Sequence, residues 1–257
     1  MLPVLIDFGV FRLPTYGVLL ALGLGLALWT ARRRATAVGL PGDRVFDLGL
    51  WVTIWGLVGG KLLLIVTEPS YLASLEGLVG LLGAGGVFYG GLIGAIAAAV
   101  VLFRRYHLPF FAVVDVLSPS VALGHAIGRI GCFAAGCCYG SSCSMPWAVT
   151  FSHPLAHEIS GTPLGVPVHP SQLYEAAFNL ANFAVLTILF RRRPRPGTVF
   201  ASYLMIYGVG RFLLEALRGD PDRGFLLSGL LSTSQAIALG MVLLGIAVLG
   251  VVRRRAA

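Results

Sequence analysis

Five ionisable side chains lie in or beside apolar sequence where hydrocarbon tolerates charge poorly. Arg129 sits in GHAIGRIGCFAAGCCYG (residues 124–140), near the end of a long apolar run, and Arg211, Glu215 and Arg218 fall in GRFLLEALR. Glu175 closes VHPSQLYE and leads into a further apolar run. An arginine at the centre of a membrane helix costs about 2.5–3.5 kcal/mol even on insertion-based scales, so a charge held there is read first as functional. Guanidinium is a planar fork that meets phosphate or carboxylate oxygens two at a time. Arg129, flanked by glycines that let other groups approach its backbone, therefore reads as a clamp for a buried anion. In a membrane the abundant buried-edge anion is a phospholipid phosphate.

Arg211, Glu215 and Arg218 stand at i, i+4 and i+7, which places them on one face of a helix. A self-neutralising Arg–Glu pair would be a sufficient structural account of two of them. It leaves Arg218 and Arg129 over, so the group keeps an excess of positive charge. His169, Gln172 and Glu175 lie where a loop enters a helix, with Ser171 expected as the N-cap. Capping accounts for Ser171 but not for a carboxylate entering an apolar span, and Glu175 is expected either to accept a proton or to orient Arg129. Tyr89 lies between glycines in GGVFYGGLIGAI, a pattern that admits close backbone approach at Gly90 and Gly91. A tyrosine at a membrane interface also serves as a plain anchor, and Tyr16 carries the same two readings.

Cys132, Cys137, Cys138 and Cys143 fall within twelve residues. At an oxidising face such a cluster is expected to form one or two disulfides or to remain as buried thiols. No Cys-x-x-Cys pair occurs and the neighbouring histidines have no regular spacing, so no metal is expected. His125, four residues before Arg129, is expected neutral and packed, and His107, His153 and His157 structural.

The elements that must position these groups follow from composition. The 257 residues are 57% hydrophobic and only 12% charged, a balance that excludes a soluble enzyme and indicates a polytopic membrane protein. Apolar run length places spans at about 15–31, 46–67, 86–103, 113–135, 172–190, 198–217 and 231–252. The expectation is an all-α helix bundle of about seven transmembrane helices forming a single integral domain over 1–257. Residues 136–171 form a small outer cap between spans four and five. Residues 68–85 contain an apolar piece too short to cross, read as re-entrant or interfacial. MLPVLIDFGVFRLPTYG lacks a basic leader region, so no cleaved signal peptide is expected.

The net charge of +8 is not a nucleic-acid signature. Arginines cluster at 32–34, 104–105, 191–193 with 195, and 253–255, beside apolar runs. With seven spans and the N-terminus outside, 13 of the 19 basic residues fall on the inner side, counting Arg44. Arg12, Arg218 and Arg223 remain outside, and Lys61, Arg129 and Arg211 lie within spans. That asymmetry is the positive-inside pattern of an inner-membrane protein with its C-terminus in the cytoplasm.

Four segments, in order, resemble the bacterial prolipoprotein diacylglyceryl transferase family: TYG at 15–17, GGLIG at 90–94, the GRIGCF…G…YG of 128–140, and HPSQLYE at 169–175. GRFLLEALR at 210–218 and STSQ at 232–235 extend the match over nearly the whole chain. The resemblance implies transfer of an sn-1,2-diacylglyceryl group from phosphatidylglycerol to the lipobox cysteine of a prolipoprotein signal peptide, the first step of lipoprotein maturation. It carries Arg129, Arg211, Glu215, Glu175, Tyr16, Gly136 and Gly140. The chain departs from the family in having Tyr89 where a histidine is usual before GGLIG. It also has Cys132, Ala135 and Cys137 where the family pattern has two asparagines and a glutamate.

The chemistry so implied has two requirements: charge to receive the departing phosphate, and removal of a thiol proton, because thiolate is the effective nucleophile. Arg129 and Arg211 suit the first. For the second, Glu215 or Glu175 is a candidate, with Tyr89 positioning the group; Glu215 ranks first as an orienting partner of Arg211, and the base is left unassigned. Catalysis is expected to rest on Arg129, Arg211, Glu215, Tyr89 and Glu175. Substrate contacts are expected from Arg129, Tyr16, Gly90, Gly91, Cys132, Gly136, Gly140, His169, Gln172 and Arg218. No cofactor, metal or nucleic acid is expected. The partners are phosphatidylglycerol, the prolipoprotein signal peptide and the bilayer. Two other classes fit some of the same residues: a transporter of a lipid or anionic solute, although no internal repeat is evident, and a thiol oxidoreductase built on the cysteines.

Overall fold

The computed structural model describes residues 2–7, 12–83, 86–219, 224–226 and 230–254. Arg223 and Arg255, which the charge count places outside and inside, lie beyond the described residues. The chain is an all-α polytopic membrane protein. Its helices are α1 (Thr15–Ala37), α2 (Gly42–Thr67), α3 (Leu75–Gly83), α4 (Phe88–Tyr106), α5 (Phe110–Ala135), α6 (Pro154–Ser160), α7 (Ser171–Arg191), α8 (Thr198–Glu215) and α9 (Thr233–Arg254). Short antiparallel pairs link some of them: β1 (Val4–Asp7) with β2 (Arg12–Pro14), β3 (Val149–Thr150) with β4 (Pro167–Val168), and β5 (Phe225–Leu226) with β6 (Leu231–Ser232).

Among the described residues, α1, α2, α4, α5, α7 and α9 are long and apolar enough to cross a bilayer. The remaining expected span, α8, has 18 residues and carries Arg211 and Glu215, which lower its hydropathy. The stretch after α2 does not cross: a 3₁₀ turn (Pro69–Leu72) precedes the nine-residue α3. Helix α1 continues through Arg32–Arg34 to Ala37, past the expected limit at residue 31, because arginine favours helix as well as it marks an interface.

The described residues group into two compact units, one of Met1–Thr30 with Val114–Ala257 and one of Ala31–Val113. In the second, α2 and α4 pack closely enough that a Cβ on Gly90 would collide with the Gly59 carbonyl, and one on Gly94 with the Trp55 carbonyl. This is the small-residue packing that lipid-embedded helices use in place of a hydrophobic drive. Lys61 of α2 donates to the Leu81 carbonyl of α3.

In the first unit, α1 meets α5 where a Cβ on Gly23 would lie 3.0 Å from the Gly124 carbonyl. Helix α8 packs on both α7 and α9. Its start is fixed by a group far away in sequence. Asp115 of α5, 5% exposed, accepts from the backbone N–H groups of Gly197 and Phe200, both at 2.7 Å. A carboxylate there satisfies donors that a helix N-terminus leaves open and faces the positive end of its dipole.

Candidate active site

Helix α5 delivers Arg129 one and a half turns before its end, and α7 delivers Glu175 on its second turn. Glu175 Oε2 lies 2.6 Å from Arg129 Nε, and its Oε1 lies 3.4 Å from an Arg211 terminal nitrogen and 3.9 Å from one of Arg218. Three guanidiniums from three segments thus converge on one carboxylate. Arg211 is held a second time by Glu215, one turn along α8, at 2.6 Å, and donates to Ser234 Oγ of α9 at 3.2 Å. Both carboxylates are almost fully buried, at 3% and 2% exposure, whereas the arginines retain 9–15%. Three positive charges against two negative leave one net positive charge in a poorly hydrated place.

Arg218 arrives by a route other than the expected helical face. Helix α8 ends at Glu215, and Arg218 lies in the following turn, bridged through its backbone to Gly140. Residues 139–141 run between two strands of backbone: Gly140 donates to the His169 carbonyl at 3.1 Å, Ser141 to the Leu217 carbonyl at 2.9 Å, and Gly219 to the Tyr139 carbonyl at 3.2 Å. A side chain on Gly140 would lie 2.5 Å from the His169 carbonyl. The glycine is required for this threading.

The turn after α5 is held with equal care. Gly136 has φ +85°, which ends the helix, and Cys138 follows at φ +59°. Thr162 Oγ1 donates to the Gly136 carbonyl at 2.8 Å, Gln172 Nε2 to that of Cys137 at 2.7 Å, and Ser171 Oγ to that of Cys138 at 2.8 Å. Three successive carbonyls are each tied by a side chain. Ser171 is therefore not the N-cap expected of it. Pro170 occupies that position without a capping bond, and the Ser171 hydroxyl is used across the fold instead. Gln172, 1% exposed, supports the same turn.

All four cysteines are free thiols, so the expected disulfides are not formed. The sulfurs of Cys132, Cys137 and Cys138 lie within 4.8 Å of one another. Hydrogen bonds from the Cys132 and Cys137 thiols, together with the positive charges of Arg218 and Arg129, hold the Cys138 thiol below its ordinary range. Cys137 moves the other way, raised by its bonds to Cys132 and Cys138.

A groove of about 550 Å³ opens beside this cluster, lined by Tyr16 and Leu20 of α1, His125 and Arg129 of α5, and by Cys132 and Cys138. His125, expected neutral and packed, also takes a polar partner. Its Nε2 accepts from Arg129 Nε at 3.2 Å, and its ring lies 5.4 Å from that of Tyr207. His169 faces Tyr174, whose hydroxyl is 3.3 Å from its Nδ1 and receives the Trp147 indole N–H at 2.7 Å. Tyr89, Gly90 and Gly91 belong to the other unit. There Tyr89 is the second residue of α4, is 61% exposed and packs edge-on against Phe88, and the two glycines face α2.

Sequence reasoning missed Ser234, His125 and Asp115 as partners. Ser234 was within reach, since it lies in the STSQ segment.

The family model described as prolipoprotein diacylglyceryl transferase matches residues 3–251. The chain is 36% identical over 256 residues to a phosphatidylglycerol–prolipoprotein diacylglyceryl transferase of Clostridium tetani, covering 99% of each chain. It is 33% identical to one of Azotobacter vinelandii, covering 99% of this chain and 96% of the other, and 30% identical to one of Finegoldia magna, covering 90% and 88%. Aligned from end to end, with its arginines gathered on a buried acid, the chain belongs to the prolipoprotein diacylglyceryl transferase family.

Proposed function

We propose that this protein transfers the diacylglyceryl group of phosphatidylglycerol to the lipobox cysteine thiol of a prolipoprotein signal peptide at the outer leaflet of a bacterial inner membrane. The relatives carry that donor and acceptor class in their names. The observation that carries the reading is the meeting of Arg129, Arg211 and Arg218 on Glu175 beside an apolar groove. Neither transport nor thiol oxidation is favoured by membership of this family.

The donor's acyl chains remain in the bilayer while its phosphate approaches the groove and meets Arg129, whose Nε is engaged by His125 and Glu175. The acceptor sulfur attacks the glyceryl carbon bonded to the phosphate oxygen. The carbon–oxygen bond breaks, its electron pair stays on that oxygen, and glycerol phosphate leaves. Charge fixed in place before the reaction stabilises the departing anion without reorganisation, an effect of several kcal/mol in sites of this kind, on the order of about 3 kcal/mol per donor. Glu175 and Glu215 are occupied in holding guanidiniums, so both are assigned to positioning. Tyr16 borders the groove as a contact for lipid or peptide. His169 is retained as a contact for substrate, whereas Gly140 serves the crossing of residues 139–141 between two backbone segments.

Mass spectrometry of the product from phosphatidylglycerol and a synthetic lipobox peptide tests the assignment directly. The reconstituted wild-type protein yields a peptide heavier by one diacylglyceryl group, and Arg129→Ala, still inserted, yields none. Undiminished product from Arg129→Ala removes the central assignment.

A further inference from the structure

The proposed reaction needs a thiol proton removed, and the groove offers few groups to remove it. His125 is the histidine lining it, and the Nε2 of that ring is taken up by Arg129. Both buried carboxylates are bound to arginines. The groove is instead bordered by sulfur: Cys132 and Cys138 line it, and Cys137 completes a set of three whose sulfurs lie within 4.8 Å of one another.

This set is built rather than incidental. Cys132 is fixed on the last turn of α5, and the turn bearing the other two is pinned at three successive carbonyls by Thr162, Gln172 and Ser171. With zinc–thiolate bonds of about 2.3 Å, sulfurs in a tetrahedral site stand about 3.8 Å apart, so closure around an ion asks for sub-ångström shifts. Charge also balances. Three thiolates and one divalent ion sum to one negative charge, and Arg129, Arg211 and Arg218 with Glu175 and Glu215 sum to one positive.

We propose that Cys132, Cys137 and Cys138 bind one thiophilic divalent cation of the zinc class, whose fourth position takes the acceptor thiol. The identity of the acceptor rests on the transferase reading; the metal site does not. Three protein ligands with an open fourth position is the pattern of zinc sites that act on a substrate, and a coordinated thiol is deprotonated outright. The acceptor S–H proton passes to water as the sulfur–metal bond forms. The sulfur then uses a lone pair to bond the glyceryl carbon as the carbon–oxygen bond breaks toward phosphate. The resulting thioether, no longer an anionic ligand, leaves the ion.

The full-length protein, reduced with a phosphine in detergent, stripped with a chelator and titrated anaerobically with Co²⁺, tests both halves. One cobalt per chain should bind, with intense near-ultraviolet thiolate charge transfer and the visible bands of a tetrahedral ion, and Zn²⁺ should displace it. Cys137→Ser should lose these bands at unchanged helix content, whereas Cys143→Ser should keep them. A lipobox peptide should shift the visible bands, and its Cys→Ser form should not. Absence of the bands in the wild type, or their survival in Cys137→Ser, overturns the site. Bands indifferent to the peptide thiol overturn the fourth ligand. Cobalt binding intact in a protein that makes no lipidated peptide from phosphatidylglycerol refutes the transferase reading and leaves the site standing.

Discussion

Replacing Glu175 by glutamine removes the charge on which the arginines meet while changing the side-chain volume little. At an effective dielectric constant of about 20, attractions over 2.6, 3.4 and 3.9 Å amount to about 6, 5 and 4 kcal/mol. Repulsion among the three guanidiniums and the desolvation of all four groups offset most of this sum. The net cost of removing one partner from a buried pair is about 3–5 kcal/mol. At 1.36 kcal/mol per tenfold change in rate, misplacing Arg129 and Arg211 by even the lower figure reduces diacylglyceryl transfer by about 100-fold, and the upper figure by over 1,000-fold. The assay is kcat/KM for lipidation of a lipobox peptide in proteoliposomes, with thermal unfolding measured in parallel. Glu175→Asp keeps the charge but withdraws it by one methylene, and should fall between wild type and Glu175→Gln. The double variant Glu175→Gln with Arg129→Gln removes both members of the shortest pair. It should recover stability relative to Glu175→Gln without recovering transfer, because paired groups do not contribute additively. Wild-type kcat/KM in Glu175→Gln refutes the role given to this carboxylate.

Arg211→Lys should lower kcat/KM by about 10–100-fold, since one ammonium cannot meet Glu175, Glu215 and Ser234 together as the fork does; an unchanged value would mean that only the charge matters. Asp115→Ala should lower stability by about 3 kcal/mol or more, the loss of two buried hydrogen bonds to a charged acceptor, read as a fall in Tm, and an unmoved Tm would dismiss the cap at α8. In metal-free protein at pH about 6, iodoacetamide should modify Cys138 before Cys137, because a thiol held below its ordinary range remains thiolate as pH falls; the reverse order by peptide mass spectrometry would contradict the assigned directions.

The charges of the candidate site were legible because hydrocarbon makes each one conspicuous: Arg129, Arg211 and Glu215 stand out of apolar text. Sequence spacing also joined Arg211 to Glu215, a contact within one helix. It could not join either to Glu175, 36 residues from Arg211, because nothing local records which faces of α7 and α8 meet. Asp115 was invisible for the same reason, as its capping partners are 82 and 85 residues away. Ser171 misled by satisfying a local rule, for its hydroxyl had a more distant carbonyl to bind. Arg218 fitted the helical period until the helix stopped before it. The cysteine spacing was readable, but the geometry of their sulfurs depends on Thr162, Ser171 and Gln172, which close the turn from 26 to 35 residues away.

A consequence follows for how this chain can drift in length. Glu175 sits only four positions into α7, and each residue gained or lost between Pro170 and Glu175 would turn its carboxylate by about 100° and slide it by 1.5 Å. Single-residue insertions there would scatter every arginine at once, whereas loops such as that between α1 and α2 can lengthen with no such effect. Descendants of this protein should therefore vary freely at those loops and keep the count from His169 to Glu175 invariant.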